Sequence, residues 1–135
     1  MQIHEIMTVD VHTINTSVSL RELRQIFSQV KYHHLLVVED ERLSGVISDR
    51  DVLRMSSPSL DSETLSAEDE ALLNREAGAF MSTRLVTARP DTLIDTAAIL
   101  LLENNISCLP VVNDHQGVAG IVTWKDMLKY YVYVR

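Results

Sequence analysis

Cysteine and glycine are scarce in this 135-residue chain, and basic charge is in deficit. The single cysteine, Cys108, excludes an internal disulfide and any cysteine-rich zinc site. Four glycines leave no glycine-rich loop to cradle a phosphate. Twelve basic against nineteen acidic residues give a net charge of −7, which argues against a general nucleic-acid or anionic-membrane binder. No stretch approaches the roughly 18 apolar residues of a spanning helix. Met1 leads straight into Gln2-Ile3-His4-Glu5, without the basic start and apolar run of a secretory signal. The expectation is a cytoplasmic protein of one ordinary domain or two very small ones.

Catalytic signatures are missing too. The chain has no Gly-x-Ser-x-Gly, His-Glu-x-x-His, Walker loop or Gly-x-Gly-x-x-Gly. Asp49 and Asp51 stand two apart, and residues so spaced on a helix do not face one another. His4, His12, His33, His34 and His115 show no metal-ligand spacing with Cys108 or carboxylates. Neither an enzyme nor a metal site is expected. A composition of 46% hydrophobic and 23% charged residues excludes wholesale disorder.

What the chain does contain is a tandem repeat. At an offset of 74, Met7, Thr13, Leu35, Val37, Val38 and Asp40 fall on Met81, Thr87, Leu109, Val111, Val112 and Asp114. Gly117 then adds one residue, and Gly45, Asp51 and Leu53 fall on Gly120, Asp126 and Leu128. Each copy reads as strand–helix–strand–strand–helix, an α+β pattern. Strands are expected near Val11–Ile14 and Leu85–Ala88, at Leu35–Val38 and Leu109–Val112, and at Leu43–Ile47 and Val118–Val122. Ser19 and Glu22 form a capping box opening one helix, and Thr92–Asp95 opens its counterpart. Short closing helices are expected over Asp49–Met55 and Lys125–Val132. One copy alone would be marginal in size, so the two are expected to fold together: residues 1–56, a partly helical acidic connector 57–78, and residues 79–135. In the connector, Ser66–Ala77 reads as a surface helix docking Leu72 and Leu73.

Two segments carry the chemistry. Gly45-Val46-Ile47-Ser48-Asp49-Arg50-Asp51 and Gly120-Ile121-Val122-Thr123-Trp124-Lys125-Asp126 share a glycine, two apolar residues, a hydroxyl residue and, three later, an aspartate. The hydroxyl of Ser48 or Thr123 falls at a helix N-cap, where it could bond a phosphate oxygen. The carboxylate of Asp51 or Asp126 could accept both hydroxyls of a ribose, with Arg50 and Lys125 adding positive charge. The same spacing also makes an ordinary capping box, which needs no ligand.

The doubled pattern resembles a tandem cystathionine-beta-synthase (CBS) domain pair, or Bateman module. Ile6-Met7-Thr8 and Phe80-Met81-Ser82 resemble the motif that opens each family repeat. Leu35-Leu36-Val37-Val38 and Leu109-Pro110-Val111-Val112 resemble its Leu-Pro-Val-Val strand. The resemblance implies a pseudo-twofold pair with two clefts for adenosine nucleotides, Asp51 and Asp126 holding ribose and Ser48 and Thr123 approaching phosphate. His33 and His34 could face phosphate in the first cleft, whereas Ser107-Cys108 would leave the second less basic. Thr13 and Thr87, which coincide under the repeat, complete the candidate ligand-binding set.

The resulting expectation is a non-catalytic regulatory module for AMP, ADP or ATP, with S-adenosylmethionine a lesser candidate. It would signal through ligand-dependent packing of a homodimer or with a partner protein. On the closing helices Val52, Leu53 and Met55, and Met127, Leu128 and Tyr131, give more apolar surface than one core-facing stripe uses, and the surplus is the expected dimer surface. The alternatives are a ligand-free dimerisation scaffold, or a regulatory fragment of a larger transporter or dehydrogenase.

Overall fold

The computed structural model describes residues 1–134. Five strands and five α-helices follow in the order β1 (Thr13–Ile14), α1 (Leu20–Gln29), β2 (His34–Glu39), β3 (Arg42–Ser48), α2 (Asp49–Met55), α3 (Ala67–Leu73), α4 (Ile94–Glu103), β4 (Cys108–Val112), β5 (Val118–Thr123) and α5 (Trp124–Lys129). The mixed α+β pattern of the sequence is thus present in both halves. The chain divides into two compact units: residues 13–39 with 44–83, and residues 1–12 with 40–43 and 84 onward. These units cut across the sequence repeats, because each takes the other repeat's opening motif.

In the first unit β1, β2 and β3 lie side by side, with β1 parallel to β2 and Thr13 opposite Leu36. Helix α1 begins where its sequence says it should. Ser19 accepts the N–H of Glu22, and the Glu22 carboxylate reaches back to the N–H of Ser19. Its apolar stripe puts Leu20 and Leu23 in a core with Ile14, Leu35, Val37, Ile47 and Val52, and Ile26 and Phe27 pack at the edge. The connector belongs to this core as well. Leu60 and Leu73 are buried in it and Leu72 packs against it. Arg21 pairs with Glu70 and Arg24 with Asp61 across the surface.

Helix α3 stops at Leu73, short of the expected Ala77. Beyond it the backbone is drawn out to pair with the start of α1: Leu20 N–H donates to Arg75 O at 2.9 Å and Ser19 bridges Glu76. Asp69 is buried within this connector and accepts the Ser59 hydroxyl at 2.7 Å and the Ser66 N–H at 3.1 Å. The Ser59 bond foremost, then that from Ser66, holds its pKa below the ordinary carboxylate value against the opposing effect of burial.

In the second unit β4 and β5 form an antiparallel pair from Cys108–Thr123 to Val112–Val118. The strand expected at Leu85–Ala88 shrinks to one parallel bridge, Ala88 to Val111. Proline explains the loss. Ala88 donates to Pro110 O and accepts from Val112 N, but Pro110 has no N–H with which to carry the ladder back towards Val86. In the first repeat this position is Leu36.

Thr92 does not cap α4. Its hydroxyl accepts the N–H of Arg89 instead, closing a turn, and Leu93 is the N-cap without a side-chain bond. At the exit Asn104-Asn105 suits a left-handed turn by its sequence, and Asn105 is left-handed at φ 54°. Helix α5 ends at Lys129 and widens into a π-helical turn over Tyr130–Val134, earlier than the Val132 expected for a continuous helix. There the Tyr131 hydroxyl donates to Asp95 at 2.7 Å. Ile3, Ala88, Ala97, Leu101, Leu109, Val111, Val122 and Met127 make the core, and Cys108 is buried. No helix among the described residues is long and apolar enough to cross a membrane.

Candidate functional site

Each Gly…Ser/Thr…Asp segment folds as a strand running directly into a short helix, so that its hydroxyl residue is the N-cap and its aspartate the third helical residue. In the first, Asp51 N–H donates to Ser48 Oγ at 3.0 Å, and Ser48 N–H donates to Asp51 Oδ2 at 2.9 Å. In the second, Asp126 N–H donates to Thr123 Oγ1 at 3.4 Å, and both the N–H and the hydroxyl of Thr123 donate to Asp126 Oδ2. Both are complete capping boxes. In each, only Oδ2 is used by the box. Oδ1 of Asp51 lies 3.6 Å from the Arg54 guanidinium.

The N–H of the first helical residue is also engaged in each repeat. Asp49 donates to His33 O at 2.9 Å, and Trp124 to Ser107 O at 3.3 Å. With the third residue's N–H on the cap, Arg50 and Lys125 are left between them, both exposed. Helices of seven and six residues add little dipole. Any anion held here would therefore depend on side-chain charge.

That charge is distributed differently from the expectation. His33 is exposed and its Nδ1 is engaged with a neighbour, 2.7 Å from Asp49 Oδ2. His34 is half-buried. Burial above all, with the charges of His33 and Arg50, pushes its pKa below 6.5 against the pull of Asp49 and Asp51, leaving a neutral ring at pH 7. The second segment has Trp124 where the first has Asp49, so it carries one carboxylate fewer. The Asp49 carboxylate beside the two histidines thus has no counterpart in the second segment. Trp124 is 41% exposed and its indole N–H donates to Ile106 O at 3.1 Å. Thr13 lies exposed on β1 and Thr87 half-buried before Ala88.

His34 also gives the fold a pH dependence. The unfolded chain takes up a proton on this residue more readily than the folded one, so stability rises with pH across the window. The contribution is intact above about 6.5 and is lost as pH falls through the lower folded value. Urea midpoints measured at pH 7.5 and 5.5 are expected to drop in the native chain and to drop less in His34→Gln. An unchanged pH dependence in the variant would assign the loss to other groups.

Sequence reasoning passed over Arg54, although its i,i+3 spacing from Asp51 was a usable signal. It also gave no role to Met7 and Met81 beyond their coincidence and their place in the opening motifs. In the structure these two side chains lie against the glycines that open the two segments, Met7 on Gly120 and Met81 on Gly45.

The CBS-domain family model matches residues 3–57 and again 77–133. The chain belongs to the CBS-domain family. Such pairs are regulatory rather than catalytic modules. The chain is 29% identical over 126 residues to the CBS domain-containing protein YhcV of Bacillus subtilis, covering 93% of itself and 81% of that protein. It is 31% identical to a homoserine O-acetyltransferase of Methanohalobium evestigatum over 93% of its own length, but spans only 23% of that enzyme. Among solved structures, the CBS domain pair of protein MJ0100, in complex with 5′-methylthioadenosine and S-adenosyl-L-methionine, superposes at a TM-score of 0.77. It is 26% identical, with 97% of this chain and 95% of that one covered. CBSX2 in complex with AMP superposes at 0.81 with 25% identity, covering 97% and 96%.

Proposed function

We propose that this CBS pair is a regulatory module that binds adenosine-bearing ligands, AMP, ADP or ATP before S-adenosylmethionine, in a cytoplasmic setting. The observation that carries the reading is the paired aspartate. Asp51 and Asp126 each commit one carboxylate oxygen to a cap and keep the other outside it, so a ribose diol can be accepted without dismantling the helix start. Similarity to pairs solved with AMP and with S-adenosyl-L-methionine supports the adenosine core as the shared element. Ser48 and Thr123 serve as hydroxyl contacts, Arg50 and Lys125 as phosphate partners, and Thr13, Thr87, His33 and His34 as further contacts.

Isothermal titration of folded, nucleotide-free protein with AMP, ADP, ATP and S-adenosylmethionine tests this. Asp51→Asn and Asp126→Asn keep a cap acceptor while removing the charge. Each is expected to weaken one of two binding events by the worth of a charge-assisted bond, about 1.5–3 kcal/mol. Absence of heat with all four ligands, together with an unshifted melting temperature, would favour the dimerisation scaffold; a bound nucleotide at a hundredfold excess over Kd adds about 2.7 kcal/mol.

The module acts as a homodimer in this reading. Leu53 and Leu128 are 74% and 60% exposed on α2 and α5, whereas Val52 and Met127, grouped with them in the sequence, are buried in the cores. Sedimentation equilibrium is expected to give twice the 15.3 kDa chain mass. A single-chain mass throughout a micromolar dilution series would remove the dimer.

A further inference from the structure

We infer that each repeat's ligand site is positioned by the opening motif of the other repeat, Met7-Thr8 serving Asp126 and Met81-Ser82 serving Asp51. The inference rests on the proposed function for what the sites bind, and on the backbone for how they are held.

Residues 1–12 belong to the compact unit that contains the second site, and residues 80–83 to the unit that contains the first. In the second unit Thr8 N–H donates to Ile121 O and Ile121 N–H returns a bond to Thr8 O, both at 2.9 Å. In the first unit Val46 N–H donates to Ser82 O at 3.1 Å and Ser82 N–H to Val46 O at 3.0 Å. Ile121 and Val46 each stand two residues before the hydroxyl that caps the helix. The paired bonds therefore fix the strand end from which Thr123 or Ser48 projects.

The two opening motifs are themselves anchored. Ile3 is fully buried and its N–H donates to Thr92 O at 2.8 Å, while Ala77 is fully buried and donates to Val18 O at 2.7 Å. Met7 and Met81 then lie over Gly120 and Gly45, one residue before the paired position. A ligand aligned by a strand end is sensitive to small displacements of that end. Disturbing the N-terminal motif should therefore be felt at the distant Asp126 in the sequence, and hardly at the nearer Asp51.

The test uses the full chain carrying Asp51→Ala or Asp126→Ala, so that one site reports at a time. With AMP as probe, Thr8→Pro, which removes the N–H donor, is expected to weaken the Asp126 site about tenfold and to leave the Asp51 site within about twofold. Ser82→Pro should do the reverse. Because proline could unfold the motif, Met7→Ala and Met81→Ala provide milder variants, with Met7→Leu and Met81→Leu expected to restore affinity. Hydrogen exchange supplies a readout without ligand: Thr8→Pro should raise exchange at residues 118–126 and spare 44–51, and Ser82→Pro the opposite. If the native chain binds none of the nucleotides, the proposed function falls while the exchange pattern still decides the positioning. Loss at the same repeat's own site, equal effects on both sites, or no effect on either would overturn it.

Discussion

Gly120→Ala is expected to lower the unfolding free energy by about 1–3 kcal/mol, as overpacking does in a well-filled interior. No described glycine has a positive φ, so the residue is needed for space and not for backbone freedom. A Cβ at Gly120 would stand 2.8 Å from Thr8 O and 2.7 Å from Met7 Sδ. The first obstacle is backbone, itself held by the paired bonds to Ile121, and it cannot rotate away. At Gly45 the tightest obstacle is the Met81 thioether, with Ser82 O at 3.0 Å. Gly45→Ala should therefore cost less, and Met81→Ala should offset part of its cost. Met7→Ala should not rescue Gly120→Ala to the same degree, because Thr8 O remains. Urea unfolding of the two double-mutant cycles measures this difference directly. Equal coupling in both cycles would mean that the methionine, not the backbone, sets the tolerance at Gly120.

The local features that the sequence made legible share one property: their partners lie within three or four residues. The capping boxes at Ser19, Ser48 and Thr123 needed only Ser/Thr followed by an acidic side chain at the right distance. The left-handed Asn105 and the bounds of α2 are of the same kind. Where the sequence misled, a more distant or competing partner won. Thr92 faced two uses for its hydroxyl, and the turn at Arg89 took it. Leu85–Ala88 has strand composition, but its length was decided by Pro110 on the neighbouring strand. The connector helix had the propensity to reach Ala77, yet Arg75 and Glu76 are held in backbone bonds with the start of α1.

The candidate site divides in the same way. The aspartate and hydroxyl pairs were readable because each box is contiguous. The charge around them was not, because it depends on which groups meet: His33 on Asp49, Arg54 near Asp51, and burial of His34. The exchange of opening motifs left a trace in the coincidence of Met7 with Met81 and of Gly45 with Gly120. Nothing in a linear repeat says that each methionine covers the other repeat's glycine.

The connector gives the second large effect. Its composition is acidic, and the two ion pairs to α1 look at first like its attachment. They are expected to contribute little, because Arg21 and Glu70 are both widely exposed, as is Asp61, and such pairs are worth about 0–1 kcal/mol. Leu73, by contrast, is only 3% exposed and sits in the core with Leu20, Leu23 and Val52. Truncating a buried leucine removes its transfer free energy and leaves a cavity, typically about 2–5 kcal/mol. Leu73→Ala should thus lower the urea midpoint far more than Arg21→Ala or Arg24→Ala, and the gap should persist in high salt, where exposed pairs are screened. Proteolysis between Ser56 and Arg75 should accelerate in Leu73→Ala and stay near the native rate in the arginine variants. If the arginine variants open the connector and the leucine variant does not, the segment is held by charge, and salt alone would release it.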